Sequence, residues 1–477
     1  MYEHLKIKNQ VFNPYLPPYE YCPDGEPYVF DGRVYVYGCH DRYGSNIYCS
    51  DHYVLWSADV DDLSNWHDHG VIYRREQDPM HHTNSNHLHA PDVAKGYDGR
   101  YYLYYPNLYA LGVAVSDTPH GPFAYYGRVC YSDGSVYGLD NGKDIRAISA
   151  DDPAVLCDDD GRIWLYTGYV PSRLESRKKL DRIGRRYCSA YCVELEKDML
   201  TVKGEPKPVA PGKGFAAGTS FEGNEFYEAS GIRKIDGIYY FVYSSFRSHD
   251  LCYATSRYPD RDFTFRGVLV SCIDHGISPH PAAIPGNTHG NLVKIKDKWY
   301  IFYHRTCGSC YVRQGCAEEI VRLQDGSFLQ AEITSCGLNG KPLAASGSYS
   351  AHIACNLWNR TSTDNPPTFM QDGADGEVCR QYITNMTDNC WVGYKYFDFD
   401  GHPTKLTIFA RGTGKGNFII ATSPNGKASA QLSVTESVGW CAHSVECHFT
   451  KGAQPLFIGY TGEGSAEILE FQFDAIK

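Results

Sequence analysis

Three features are missing from this sequence of 477 residues, and each absence excludes a class of protein. The net charge is −11, so the chain has no overall excess of the Lys and Arg that binding to phosphate backbones requires. No run of about 18 apolar residues could cross a bilayer, and the first residues show no apolar signal segment. We therefore expect a cytoplasmic protein that binds neither nucleic acid nor a membrane.

Regular cysteine spacing is also missing. The 18 cysteines are scattered through the chain, which argues against the disulfide framework of small secreted domains. The close pair Cys307 and Cys310 has no second pair that would complete a zinc site. The thiols are therefore predicted to be free and to act as small apolar side chains.

Tyrosine is abundant instead, and it marks a repeated hairpin. The chain has 39 Tyr, many of them in alternating runs that are typical of β-strands. Five of these runs follow a turn-forming pair that begins with Asp. The pairs are Asp31-Gly32, Asp98-Gly99, Asp160-Gly161, Asp236-Gly237 and Asp297-Lys298. They recur at intervals of 61 to 76 residues, a spacing that suits one four-stranded sheet per repeat.

Sheets that repeat radially close into a β-propeller, in which no long sheet edge stays free. We therefore predict an all-β protein whose residues 1–340 form a five-bladed propeller. After about residue 340 the repeat stops, and short alternating strands such as "KLTIFARG" and "EILEFQFDA" continue. Residues 341–477 are predicted to form a jelly-roll-like β-sandwich, packed against the propeller because no linker composition separates the two parts.

The residues at the head of each repeat are the candidates for function. Eight residues before the Asp of each later turn lie Ala90, Asp152, Glu228 and His289, which would head the innermost strands around the central channel. In the first repeat two registers are open, one giving Asp24 and the other Glu26. Residues two apart on a strand share a face, so both carboxylates can point into one cavity.

Five stretches of the chain resemble family 43 of the glycoside hydrolases. They are "NPYLPPYEYCPDGEPYVFDGRVYVYGCHD", "HAPDVAKGYDGRYYLYY", "ISADDPAVLCDDDGRIWLYTG", "FYEASGIRKIDGIYYFVYSS" and "NTHGNLVKIKDKWYIFYHR". The resemblance implies a five-bladed propeller that removes arabinofuranose or xylose from plant polysaccharides and oligosaccharides with inversion. The tail, including "NMTDNCWVGYKYFDFDG", resembles the family 6 type carbohydrate-binding sandwich.

The resemblance also implies roles for the acidic residues. Inverting hydrolysis needs a carboxylate that activates water and a carboxylic acid that protonates the leaving oxygen. Glu228 in "YEAS" matches the family's general acid, and Asp152 in "ADDP" matches a third carboxylate that orients the acid and keeps it protonated. The general base is Asp24 or Glu26 in "PDGEP". Asp24 is favoured, because the register of the second strand gives Asp24 and the family uses Asp.

Two further residues are candidates for binding. His289 in "NTHGN" matches a position that faces the axis and supports a calcium or sodium ion through water, and it is also a candidate for substrate contact. The alternative for His289 is a buried structural role. Arg305 in "YHR" matches a region where related enzymes place a substrate-binding arginine, whereas on its own it suggests a surface ion pair. The sandwich is a second candidate ion site, and the chemistry itself needs no cofactor.

The leading hypothesis is an α-L-arabinofuranosidase or β-D-xylosidase that acts on the ends of short plant-derived oligosaccharides, such as those from xylan degradation. The choice of pentose, the linkage and the oligomeric state stay open. One alternative is an endo-arabinanase, which needs an open groove, and another is a sugar-binding propeller that has lost hydrolysis, suggested by "PDGEP". The sandwich either binds glycan or supports the propeller, and the lack of an evident aromatic platform favours support.

Overall fold

The structure is a computed structural model that describes residues 10–80, 88–107, 110–138, 146–182, 186–282, 286–363, 365–424 and 426–476. Over these ranges it consists mainly of β-strands, with one α-helix, α1 (Leu174–Arg182), and short 3-10 helices at Arg75–Gln77, Gly337–Asn339 and Ala351–Ile353. None of the helices described is long and apolar enough to cross a membrane. The predicted all-β class is confirmed.

Five sheets follow one another along the first two thirds of the chain, and each forms one blade. Blade 1 contains β1 (Glu26–Phe30), β2 (Arg33–Gly38), β3 (Tyr53–Asp59) and β4 (Asp62–Tyr73). Blade 2 contains β5 (Asp92–Lys95), β6 (Tyr101–Asn107), β7 (Ala110–Ser116) and β8 (Ala124–Arg128). Blade 3 contains β9 (Cys130–Tyr131), β10 (Ala154–Cys157), β11 (Ile163–Thr167), β12 (Ser189–Leu195) and β13 (Thr201–Pro211). Blade 4 contains β14 (Phe226–Ile235), β15 (Ile238–Ser245), β16 (Leu251–Ser256) and β17 (Thr264–Val270), and blade 5 contains β18 (Leu292–Ile295), β19 (Lys298–Cys307) and β20 (Ser309–Ile320).

Apolar side chains between neighbouring sheets close the five blades into a ring. Successive residues of a strand face opposite sides of the sheet, and β2 uses both sides. Val34 belongs to a buried cluster with Phe302 of blade 5, whereas Tyr35 belongs to a cluster with Leu103 of blade 2. Similar clusters join blades 2 and 3, blades 3 and 4, and blades 4 and 5. The predicted five-bladed propeller is confirmed.

The tyrosines of the repeats have a second use besides filling these clusters. The Tyr104 hydroxyl of blade 2 donates to the carbonyl oxygen of Met199 in blade 3 at 2.6 Å. The Tyr166 hydroxyl of blade 3 donates to the carbonyl oxygen of Pro259 in blade 4 at 2.6 Å. Because a buried hydroxyl needs a hydrogen-bond partner, each Tyr both packs against the next blade and is bonded to it.

The heads of the innermost strands lie where the repeat spacing places them. Ala90 lies two residues before β5, and Asp152 lies two residues before β10. His289 lies three residues before β18, and Glu228 is the third residue of β14. The Asp of every predicted pair lies between two paired antiparallel strands of its blade, although in the fifth repeat the turn is Lys296-Asp297 and Lys298 is already the first residue of β19. The predicted hairpins are therefore confirmed.

Blade 5 differs from the predicted four-stranded pattern. It has three strands, and its outer strand β20 is covered by the segment that precedes β1. The Tyr15 N–H donates to the carbonyl oxygen of Gly315 at 3.3 Å, and Gln314 Nε2 donates to the carbonyl oxygen of Pro18 at 2.9 Å. Residues from the start of the described chain thus take the place of a fourth strand and close the ring.

The C-terminal residues form two facing sheets, as expected for a sandwich. One sheet contains β21 (Leu343–Ala344), β23 (Asn356–Asn359), β26 (Cys390–Phe399), β28 (Lys415–Ala421), β29 (Ala430–Val434) and β31 (Gly452–Glu463). The other contains β22 (Gly347–Ser350), β24 (Thr368–Gln371), β25 (Gln381–Met386), β27 (Pro403–Gly412), β30 (Ser437–His448) and β32 (Ala466–Ala475).

The propeller and the sandwich are packed together. Tyr21 and Val312 of the propeller belong to the same buried cluster as the core of the sandwich. Beside this cluster the buried Lys395 of the sandwich reaches back to two propeller carboxylates, with Nζ 3.2 Å from Asp274 Oδ2 and 2.8 Å from Glu332 Oε1. The interface therefore combines shared apolar area with a buried ion-pair network.

Candidate active site

A tight turn before β1 places Asp24 against blade 5. Asp24 has a φ of 56°, a left-handed conformation that Asp tolerates better than most residues. Gly38 permits this turn, because a Cβ there would lie 2.4 Å from the carbonyl oxygen of Pro23. The Asp24 N–H donates to His304 Nδ1 at 3.1 Å. Burial lowers the His304 pKa to about 3, so the ring is neutral and able to accept this bond.

An arginine keeps Asp24 ionised. Arg313, on β20, donates from Nη1 to Asp24 Oδ1 at 2.8 Å, and both side chains are buried. Burial alone would raise the Asp24 pKa, but Arg313, His304, His289 and the hydrogen bond from Cys39 together outweigh burial, and the pKa lies well below its usual range. Asp41 fixes the arginine by accepting from Nε at 2.8 Å and from Nη2 at 3.1 Å. Asp24 is thus deprotonated, the state that a general base needs.

Asp152 and Glu228 come from neighbouring blades and are joined through the backbone. β14 is bulged on both sides of Glu228, and Ala229 has a φ of 66°. A bulge of this kind turns one backbone group out of the ladder, and here the Ala229 N–H donates to Asp152 Oδ2 at 2.9 Å. Asp152 therefore fixes the backbone beside Glu228 as well as placing a charge near it.

The Glu228 carboxyl retains its proton. Burial raises its pKa well above the ordinary value, and the charges of Asp152 and Asp24 raise it further. Burial also raises the pKa of Asp152 to about 6, with Asp151 and Asp24 adding to the effect and His289 opposing it. The site therefore contains an ionised carboxylate at Asp24 and a protonated carboxyl at Glu228, the arrangement of a base and an acid.

Glu26 lies in a different environment from Asp24. Its side chain is 1% exposed, and Oε2 accepts from Arg233 Nη2 at 3.1 Å and from Asn291 Nδ2 at 2.9 Å. Arg233 belongs to β14 and Asn291 directly precedes β18. Glu26 thus connects the innermost strands of blades 1, 4 and 5, and these contacts have a structural role.

His289 lies among these carboxylates, with Nε2 3.6 Å from Glu26 Oε1. Burial lowers the His289 pKa, but the contact with Glu26 and the charges of Asp152 and Asp24 outweigh it and raise the pKa to about 9. Within the described structure neither His289 Nε2 nor Glu26 Oε1 has a hydrogen-bond partner. Two facing buried polar atoms of this kind fit a water or a cation, and carboxylate oxygen is a ligand that calcium prefers.

The side chains that could hold an ion elsewhere form one group. Among the described residues, Asp24, Cys39 and Cys49 are the one set of three His, Cys, Asp or Glu whose ligand atoms lie close enough together. No such group occurs in the part of the sandwich that the structure describes. The expected ion site in the sandwich therefore has no side-chain cluster to support it.

Arg305 requires a correction. Neighbouring residues of a strand face opposite sides, and on β19 His304 takes the side that contacts Asp24. Arg305 instead donates from Nη1 to the carbonyl oxygen of Ala354 at 2.7 Å and from Nη2 to that of His352 at 2.6 Å. Both carbonyls belong to the sandwich. The guanidinium predicted to bind substrate therefore joins the two domains.

Two charged residues of the site were missed by the sequence analysis. Arg313 faces the same side as His304, because in the antiparallel pairing of β19 and β20 it stands opposite Thr306. That register could have pointed to Arg313 in place of Arg305. Asp92 is buried at the head of β5 and accepts the Tyr28 hydroxyl at 2.6 Å, but the repeat spacing pointed to the position two residues earlier.

Residues 26–328 match the protein-family model "Glycosyl hydrolases family 43". A xylosidase/arabinosidase of Thermoclostridium stercorarium is 44% identical over 98% of this chain and 99% of its own length. A xylosidase/arabinosidase of Bacteroides ovatus is 30% identical over 61% of this chain and 87% of its own length.

Solved structures show the same architecture. An arabinoxylan arabinofuranohydrolase of Bacillus subtilis, crystallised with cellotetraose, covers 97% of this chain and 97% of its own, at 22% identity and a TM-score of 0.51. That likeness concerns the fold alone. A β-xylosidase/α-arabinofuranosidase from a compost microbial metagenome, solved with xylotriose in a calcium-free form, is 26% identical with a TM-score of 0.51. It covers 65% of this chain and 94% of its own.

Proposed function

Because this chain belongs to family 43 of the glycosyl hydrolases, we propose that it releases a terminal L-arabinofuranose or D-xylose from short plant-derived oligosaccharides. The chain is a glycosidase that hydrolyses O-glycosyl bonds, and its family acts with inversion. Relatives named xylosidase/arabinosidase support the choice of a pentose. The xylotriose complex of a structural relative supports an oligosaccharide substrate.

The opposite protonation states of Asp24 and Glu228 support this proposal most strongly. In one step Asp24 takes a proton from a water whose oxygen bonds to the anomeric carbon. Glu228 gives its proton to the glycosidic oxygen, the bond between that oxygen and the anomeric carbon breaks, and the configuration inverts. Asp152 accepts a hydrogen bond from the backbone next to Glu228, and its charge helps to keep the Glu228 pKa high. Asp24 then releases its proton to solvent, and Glu228 takes up a proton from solvent.

Asp24 is proposed as the base in preference to Glu26. Its Oδ1 is paired with Arg313, which keeps the carboxylate charged. Glu26 gives Oε2 to Arg233 and Asn291, contacts that join blades rather than orient a water. His289 lies 3.6 Å from Glu26, and its imidazole is proposed to contact substrate or an ion.

An ion on the propeller axis is a further part of the proposal. Glu26 Oε1 and, through water, His289 Nε2 are the groups that would hold it, since both are buried without a hydrogen-bond partner in the described structure. A bound cation would supply positive charge that offsets the neighbouring carboxylates. In its absence the imidazolium of His289 carries that charge.

The sandwich is proposed to be a family 6 type module whose main role is to complete the propeller. The shared apolar cluster and the Arg305 bonds to sandwich carbonyls support this role. Binding of glycan to the sandwich is not required for hydrolysis at the pocket.

The test is hydrolysis of nitrophenyl pentosides by matched amide variants. Asp24→Asn should reduce kcat by on the order of a hundredfold or more, because the amide cannot accept the proton of water. Glu26→Gln is the control, and it should reduce kcat much less. The reverse ranking would move the base to Glu26. Absence of pentose release by the wild-type protein would contradict the proposed activity and favour a sugar-binding propeller.

A further inference from the structure

Two thiols face the carboxylate proposed as the base. The loop between β2 and β3 begins at Cys39 and brings Cys49 back beside it. Cys39 Sγ lies 2.8 Å from Asp24 Oδ2, and Cys49 Sγ lies 3.7 Å from the same oxygen. All 18 cysteines are free, as predicted, but these two contact a charged side chain and so depart from the predicted role as small apolar groups.

The three ligand atoms lie within 4.8 Å of one another. Arg313 binds the other carboxylate oxygen, Oδ1, so Oδ2 remains directed at the thiols. Zinc bonds of about 2.3 Å to sulfur and about 2.1 Å to oxygen, at tetrahedral angles, separate the two ligand atoms by about 3.6 Å. The distance from Cys49 already matches this separation, and Cys39 has to move by less than about 1 Å.

We propose that Asp24 Oδ2, Cys39 Sγ and Cys49 Sγ form a binding site for one thiophilic divalent cation of the zinc class. A site of two thiolates and one carboxylate favours cations of this class over calcium or magnesium. Binding forms two metal–sulfur bonds and one metal–oxygen bond and releases the two thiol protons to solvent.

The charge of the site does not oppose binding. Two positive charges arrive with the ion and two leave as protons, so the net charge beside Arg313 is unchanged. Arg313 Nη2 lies 3.3 Å from Cys49 Sγ, where it can donate to a thiolate. A water takes the fourth position of a zinc site that has three protein ligands.

The consequence for hydrolysis depends on the proposed function. An ion on Oδ2 occupies the oxygen through which Asp24 would accept a proton, since Oδ1 is held by Arg313. The bound form is therefore inactive, and removal of the ion by a chelator restores activity.

Binding is measured apart from activity, with Cd²⁺ as a spectroscopic substitute for zinc. The full chain should take up one ion with a thiolate-to-cadmium absorption band and release about two protons. The Cys39→Ser/Cys49→Ser variant should not bind this Cd²⁺ ion. Cys441→Ser, which removes an exposed thiol on β30, is the matched control and should keep it. If the double variant does not fold, the single Cys49→Ala variant serves for the same comparison.

Inhibition by Zn²⁺ is then compared with each variant's own metal-free rate. The wild-type protein and Cys441→Ser should be inhibited and then recover with chelator, whereas Ca²⁺ should not inhibit. An unchanged cadmium equivalent in the cysteine variants, or no cadmium band in the wild-type protein, would overturn the site. If the variants lose cadmium binding but Zn²⁺ does not inhibit the wild-type protein, the site stands and Asp24 is not the base.

Discussion

At the scale of single residues, the chemistry depends on two carboxyl groups whose pKa values are shifted in opposite directions, down for Asp24 and up for Glu228. The repeat spacing was sufficient to point to Asp152 and Glu228, because both stand at equivalent places in consecutive blades. It could not identify the partner that keeps Asp24 charged. Arg313 lies 289 residues away in sequence, and its position depends on how blade 5 meets the turn before β1. Arg305 was selected instead because local sequence does not show which side of β19 faces the pocket.

Replacement of Glu228 by Gln tests the acid. Natural xylosides and arabinosides have poor leaving groups that need a proton, so Glu228→Gln should reduce their hydrolysis far more than that of activated aryl pentosides. The raised pKa of Glu228 keeps the wild-type acid protonated at neutral pH, and activity falls only as the pH rises through that pKa. The variant should therefore lose the alkaline limb of kcat/KM for aryl pentosides, measured over a pH series.

The control is Glu319→Gln, a carboxylate on β20 that pairs with Lys298 at the surface. It should keep both the wild-type ratio of the two substrate types and the alkaline limb. Equal losses on natural and activated substrates in Glu228→Gln would count against a general acid at this position.

At the scale of elements, the sequence predicted the hairpins better than the number of strands in each blade. In every blade an aromatic strand follows a turn signal, and all five hairpins formed as expected. Outer strands have weaker signals because one side is partly exposed, as the burial pattern of β8 illustrates. The three strands of blade 5 and the extra β9 in blade 3 depend on long-range pairing, which no local pattern contains.

Asn13 tests how the ring is closed. Its side chain accepts the Ala317 N–H at 2.9 Å and donates to the Ala317 carbonyl oxygen at 3.0 Å and to Glu318 Oε1 at 2.7 Å. Asn13→Ala leaves a buried N–H without its partner, so it should lower the free energy of unfolding by about 1–3 kcal/mol. Urea unfolding measures this change, and Gln431→Ala, an exposed amide on β29, should change the midpoint little. No shift for Asn13→Ala would mean that this segment does not close the ring.

At the scale of the whole molecule, propeller and sandwich behave as one packed body. The sequence indicated this only through the absence of linker composition. No sequence pattern marks the interface residues, because Tyr21 and Val312 lie in stretches that resemble ordinary blade strands and contact the sandwich only in the folded chain. Arg305 belongs here rather than to the pocket, because its acceptors are sandwich carbonyls.

Removal of residues 341–477 should therefore give an insoluble or inactive propeller. The truncation exposes the apolar side chains of the shared cluster and removes the two carbonyl acceptors of Arg305. Soluble yield and pentoside hydrolysis of residues 1–340 measure the effect. The control is the full chain with a protease site between residues 340 and 341, assayed before and after cutting. A soluble, fully active truncation would make the sandwich dispensable.

The central claim is that Asp24 and Glu228 act from opposite sides of the glycosidic bond of a pentoside. Proton NMR of the first sugar released tests this most directly, because it reads the anomeric configuration before mutarotation. Hydrolysis of an aryl β-D-xyloside should give α-xylose first, as expected when Asp24 directs water to the face opposite the leaving group. Appearance of β-xylose as the first product would require a covalent intermediate and would contradict the mechanism.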